Sequence, residues 1–141
     1  MTVIGARLKR RGDGPGPAGE FAWKALAVIM LVNGTLGVFA PRVMMRSLGV
    51  RPQLQPGMMY ALRMFGIRTL FIAIDMIRFP AEREQSLREG IVVHATDAGA
   101  ALTAAALGQL AVRPALLVTG LSTVNTILAL IGARAYRRCR S

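Results

Sequence analysis

Four runs of predominantly apolar residues divide the chain, at about residues 22–40, 58–77, 87–112 and 115–133. A helix needs about 20 such residues to cross a hydrocarbon core of ~30 Å, and each run is near that length. The pattern predicts an all-α integral membrane protein, a four-helix up-down bundle at residues 22–133. Basic tails flank it at residues 1–21, expected to be disordered, and 134–141. A Gly/Pro segment at residues 12–19, GDGPGPAG, would separate the first tail from its helix.

The connections carry their own signals. In residues 41–57, Val43, Met44, Leu48 and Val50 are interspersed with Arg42, Arg46 and Arg51. That spacing predicts a short interfacial amphipathic helix ended by Gly49 and Pro52, either resting on the headgroups or forming a lid. The second connection, residues 78–86, is short and polar; Pro80 stops the helix before it, and Glu82, Arg83 and Glu84 read as a solvated face. The third is little more than Arg113-Pro114. Turns this tight make the second and third helices, and the third and fourth, antiparallel neighbours.

Charge then orients the bundle. A net charge of +11 in a chain that is 53% hydrophobic would suggest nucleic-acid binding in a soluble protein. Here no aromatic stacking platform is interleaved with the basic residues, which lie almost entirely outside the apolar runs or at their ends, and nucleic acid is excluded. Twelve of them, Arg7, Lys9, Arg10, Arg11, Lys24, Arg78, Arg83, Arg88, Arg134, Arg137, Arg138 and Arg140, fall on one side, against Arg42, Arg46, Arg51 and Arg113 on the other. Short loops rich in Lys and Arg stay cytoplasmic, so both termini are expected inside a bacterial inner membrane. The first run exceeds a signal-peptide core in length, and Pro41 follows the only plausible cleavage position, Ala40. It reads as a retained helix. Cys139 is the only cysteine, which leaves neither a disulfide nor a metal set, and no cofactor is implied.

Inside the runs, a few polar groups stand out. Counted from the cytoplasmic end at 1.5 Å per residue, Asn33, Arg68, Asp97 and Asn125 fall near one level, one from each predicted helix. His94 lies one turn from Asp97 on the same face. An Arg or Asp at a helix centre costs about 2.5–3.5 kcal/mol on the insertion scale, so Arg68 and Asp97 are expected to pair. Ala95, Gly99 and Thr103, at four-residue spacing, offer a thin face for close approach. Bland roles are open to each residue: Arg68–Asp97 as a pair that only fixes register, His94 as a bonded core histidine, the asparagines as interhelical glue. Arg63 can snorkel to the outer headgroups and Asp75 reach the inner interface, with Tyr60 and Trp23 in the aromatic belts.

The stretches FGIRTL (residues 65–70) and HATDAGAAL (residues 94–102) resemble small bacterial four-helix membrane proteins of the loosely DoxX-like group and their uncharacterised relatives. Gly66, Arg68 and Asp97 carry the resemblance across perhaps half the chain. It implies a four-helix bundle and no settled activity. Thr69 stands where the group commonly has an acidic residue.

Two functions follow from these residues. In the first, Arg68, Asp97, His94, Asn33 and Asn125 form a polar midplane site that binds the head of a lipophilic molecule, such as a quinone, isoprenoid or lipid, or the bundle serves as an accessory subunit of a larger membrane complex. The alternative is a small membrane enzyme using His94 and Asp97 for acid-base chemistry, with Arg68 stabilising developing negative charge. A transporter would require a homo-oligomer. No His/Glu cluster with ligand spacing supports metal-assisted hydrolysis.

Overall fold

The computed structural model describes residues 14–51 and 56–140. Most of the amino-terminal tail, Pro52 and Ser141 lie outside the described residues. Within them the chain is helical and without strands: α1 Gly16–Phe39, α2 Pro41–Ser47, α3 Pro56–Arg78, α4 Arg83–Ala106 and α5 Val112–Arg140.

The boundaries depart from the apolar runs for local reasons. Helix α1 starts at Gly16, inside the segment expected to be flexible, because a proline in the first turn loses no intrahelical hydrogen bond. At the other end, α5 runs for 29 residues and takes in Arg134, Arg137 and Arg138, so the expected basic tail is a continuation of the helix. The predicted third run ended at residue 112, but α4 stops at Ala106. Gly108 there adopts φ 69°, with its N–H donating to the Ala105 carbonyl and that of Gln109 to the Ala104 carbonyl. This Schellman closure satisfies carbonyls that a helix end otherwise leaves free.

The same device ends α2, where Gly49 has φ 76° and the N–H groups of Gly49 and Val50 donate to the carbonyls of Arg46 and Met45. A short helix was expected here, but its buried side is Pro41 and Met45; Val43 points outward.

Three helices, α1, α3 and α5, are long and apolar enough to cross a membrane. Helix α4 matches them in length at 24 residues but not in composition. Arg83, Glu84, Arg88 and Glu89 occupy its first two turns, leaving residues 90–106, roughly 25 Å of helix, as its apolar part. The outward faces carry large apolar side chains, among them Val32, Phe71, Leu116 and Ile127, in numbers that a soluble monomer rarely exposes. Thr96, Thr103 and Thr123 each donate to a carbonyl of their own helix.

Packing is uneven. Helix α1 lies against α3 and α5, α5 packs extensively on α4, and α3 touches α4 only sparsely. The short turn between α3 and α4 therefore joins two helices that are not close partners along their length. The closest approach to backbone atoms belongs to α1 and α3: a Cβ built on Gly66 would lie 2.7 Å from the Gly34 carbonyl oxygen and 2.8 Å from the Val38 nitrogen, and one on Gly37 2.8 Å from the Leu62 carbonyl oxygen. The expected thin face of α4 plays no such part. No atom lies within 4 Å of a Cβ built on Gly99, and Ala95, Gly99 and Thr103 face outward.

The core, Leu26, Ala27, Met30, Ala73, Met76, Leu87, Ala129 and Ala133, fills the half of the bundle nearer the α3–α4 turn. A polar hub closes that end. The Arg83 guanidinium lies 3.8 Å from the centre of the Trp23 ring. Its Nε donates to the Met76 carbonyl at 2.8 Å and its Nη1 to the Tyr136 hydroxyl at 3.0 Å. One side chain thus ties α4 to α1, α3 and α5, combining a cation–π contact with charge-assisted hydrogen bonds. Arg83 is no solvated face, and neither is Glu84, which is buried and paired with Arg88. Trp23 is half-buried in this hub, and Tyr60 is exposed.

Candidate functional site

The polar groups of the interior are placed by the register of the antiparallel helices. Gly90 faces Ala129 and Leu87 faces Gly132. That register carries His94 level with Asn125 and Asp97 level with Ser122. On the other side of the bundle, Gly34 meets Leu70, so the neighbouring Asn33 falls within a turn of Arg68. The site residues expected at one level therefore occupy two adjacent turns. Arg68, Asp97 and Asn33 form one layer, joined by Ser122, and His94 and Asn125 the next, nearer the Arg83 hub.

Arg68 and Asp97 pair as expected. The guanidinium Nη2 donates to Asp97 Oδ2 at 3.2 Å and to Oδ1 at 3.3 Å. This is not the fork-to-fork geometry in which two nitrogens meet two oxygens. One nitrogen spans both oxygens, at long distances, and Nε and Nη1 make no described hydrogen bond. The guanidinium also lies 5.8 Å from the Phe65 ring centre. Two residues along a helix is a rotation of about 200°, so Gly66 contacts α1 while Arg68 is directed away from it, toward α4.

The pair is not sealed inside the bundle. The Arg68 side chain is 50% exposed and that of Asp97 25%, because they meet across the sparsely packed α3/α4 seam. The pair is thus partly exposed along this seam and not enclosed by the bundle.

His94 and Asn125 are buried, at 4% and 5% exposure. His94 Nε2, Asn125 Oδ1 and Thr119 Oγ1 have no hydrogen-bond partner among the described residues. Leaving such a group unpaired costs about 1–3 kcal/mol, and native folds rarely tolerate it without a reason. Among the described residues His94 makes no hydrogen bond to Asp97 or Arg68. Asn33 is half-buried, and Arg63 and Asp75 are exposed. No group of three potential metal ligands occurs among the described residues.

Sequence reasoning passed over Ser122, which is 6% exposed. Its signal was available: Thr119, Ser122 and Asn125 recur every three residues on α5, a polar stripe along one helical face. A surface depression of about 370 Å3 lies elsewhere, between Leu48, Arg51 and Met58 on one side and Gln109 and Pro114 on the other. It does not reach the polar layers.

Fold and site together define a helical protein with three membrane-length apolar helices and a partly exposed ion pair between α3 and α4. Comparison with known protein families, with curated proteins and with solved structures finds no match.

Proposed function

We propose that the chain is a multi-pass protein of the bacterial inner membrane whose helices α1, α3, α4 and α5 cross the bilayer as an up-down bundle, with both termini cytoplasmic. Its site binds the polar head of a lipophilic small molecule that enters from the bilayer between α3 and α4. The observation that carries this reading is the half-exposed Arg68–Asp97 pair at mid-length in an apolar helix. A charge at that depth faces hydrocarbon unless a polar group covers it, and charged residues within membrane helices characteristically mark substrate paths. Helix α4, too polar to meet lipid on every face, fits a helix that lines such a path. The kinship proposed on Gly66, Arg68 and Asp97 with the DoxX-like group agrees with the four-crossing reading.

Mass spectrometry of the protein purified in mild detergent tests the binding function. A lipophilic small molecule is expected to co-purify with the wild type and to be depleted at least tenfold by Arg68→Gln, measured per folded protein. Equal amounts in both would sink the assignment. Orientation is read separately at Cys139, which is exposed. A membrane-impermeant maleimide is expected to label it in inverted vesicles and not in intact cells; labelling in intact cells would reverse the topology.

A further inference from the structure

At the end of the bundle away from the Arg83 hub, charge and shape coincide. Arg42 and Arg46 lie on α2, Arg51 follows it, and Arg113 lies in the first turn of α5. All four are exposed, and none of their side chains makes an ion pair or hydrogen bond with another described residue. The sequence offers them no acid either, since it has no Asp or Glu between Glu20 and Asp75 and none after Asp97. Counter-charge for this end therefore comes from outside the chain.

The cavity of about 370 Å3 lies among these residues, within the ~300–1,000 Å3 typical of small-molecule sites. Two helix ends closed by glycine meet there: Gly49 lines it, and so does Gln109, which directly follows Gly108. Among the lining side chains Arg51 and Gln109 are polar, whereas Leu48, Met58, Leu110 and Pro114 are apolar. Cationic and amide donors beside apolar carbon suit an amphiphile with an anionic head. The location agrees. Helices α3 and α5, both of membrane length, begin at Pro56 and Val112, so the cavity sits at their common end, where headgroups meet hydrocarbon.

We propose that this cavity seats the phosphate of an anionic phospholipid, with Arg51 as its cationic anchor and Gln109 as a second donor. A guanidinium stays charged and presents paired N–H groups to two phosphate oxygens, which the ammonium of lysine does not. Both lysines, Lys9 and Lys24, lie in the amino-terminal part of the chain, and this end carries arginine alone. Arg42, Arg46 and Arg113, outside the lining, raise the local potential and favour a net negative lipid over a zwitterionic one. A soluble phosphate ester would meet the same donors but leave Leu48, Met58 and Leu110 facing water. The seat is separate from the Arg68–Asp97 pair and rests only on the membrane reading of the helices.

The probes are dioleoylphosphatidylglycerol and dioleoylphosphatidylcholine, which share acyl chains and a phosphodiester and differ in net charge. Glycerol 3-phosphate is the soluble counterpart. Each is titrated into the purified full-length protein in an uncharged detergent at fixed salt, with bound lipid counted by native mass spectrometry and melting temperature read alongside. The anionic lipid is expected to bind at least tenfold more tightly than the zwitterionic one, and glycerol 3-phosphate to leave the melting temperature unchanged. Arg51→Gln is expected to melt at or above the wild-type temperature without lipid, because its side chain is exposed among like charges, and to lose at least tenfold in affinity for the anionic lipid. Arg42→Gln removes the same charge from the same end but not from the lining, and is expected to lose less than threefold. Equal binding of the two lipids would overturn the seat. So would equal losses in the two variants, which would show a diffuse basic surface in its place. Binding of glycerol 3-phosphate as tight as that of the anionic lipid would replace the lipid with a soluble phosphate ester. An unliganded Arg51→Gln that melts below the wild type would show that the protein itself already holds this arginine, and would also overturn the seat. None of these results alters the lipophile test at Arg68, so the two readings fail separately.

Discussion

Gly66→Ala is expected to destabilise the protein by about 2–3 kcal/mol, even though alanine is the better helix former by about 1 kcal/mol. The added methyl would meet the Gly34 carbonyl oxygen at 2.7 Å, the Val38 nitrogen at 2.8 Å and the Gly37 carbonyl carbon at 3.0 Å. All three are backbone atoms of α1, so no rotamer change relieves the contact. The helices must move apart along a seam where Gly34, Gly37 and Gly66 now let two backbones touch. Between membrane helices, close packing of this kind is a principal attraction, because lipid tails are as apolar as the side chains they replace. Gly120→Ala is the matched control. Gly120 is also a mid-helix glycine, but nothing lies within 4 Å of its Cβ, and the same substitution there is expected to be neutral or to stabilise by up to about 1 kcal/mol. Unfolding both variants in detergent gives the contrast directly. If Gly66→Ala stabilises as much as Gly120→Ala, the α1–α3 crossing is looser than described.

This crossing also shows what the sequence could reveal. Each apolar run became a helix, because burying or lipid-exposing that much apolar surface leaves the backbone little choice but to bond itself. Arg68 and Asp97 could be paired in advance for a related reason: a charge at that depth demands a partner, and few were on offer. What a glycine in a helix is for depends on what crosses it. Gly99 and Gly66 look alike in a linear pattern, yet Gly99 faces outward and Gly66 lies against another backbone. Arg83 is a second case. Its partners Trp23, Met76 and Tyr136 come from three other helices, and no local spacing announces them. The fit of the α3/α4 seam was also out of reach, since a short turn fixes where two helices begin and not how far apart they run. That sparse seam is what turned an expected interior pair into one that borders the outside.

The second large effect is expected at that pair. Arg68→Ala leaves the Asp97 carboxylate, and Asp97→Ala the Arg68 guanidinium, without a partner midway along the helices. The insertion cost of such a charge is about 2.5–3.5 kcal/mol, and each single variant is expected to lose about 2–3 kcal/mol, the half-exposed arginine being able to relieve part of its cost by snorkelling. The double variant removes both charges and is expected to be more stable than either single one, with an interaction energy of at least about 1 kcal/mol in the cycle. Strictly additive losses would show that the 3.2 Å contact contributes nothing. Bound ligand, measured on the same samples, tells a site from a scaffold. A pair that only fixes helix register has no reason to change the ligand bound per folded protein once the double variant regains stability. A pair that borders the entrance for a polar head does, so the double variant is expected to fold better than either single one and still to bind at least tenfold more weakly than the wild type. Recovery of both stability and binding would reduce Arg68 and Asp97 to a structural clasp between α3 and α4.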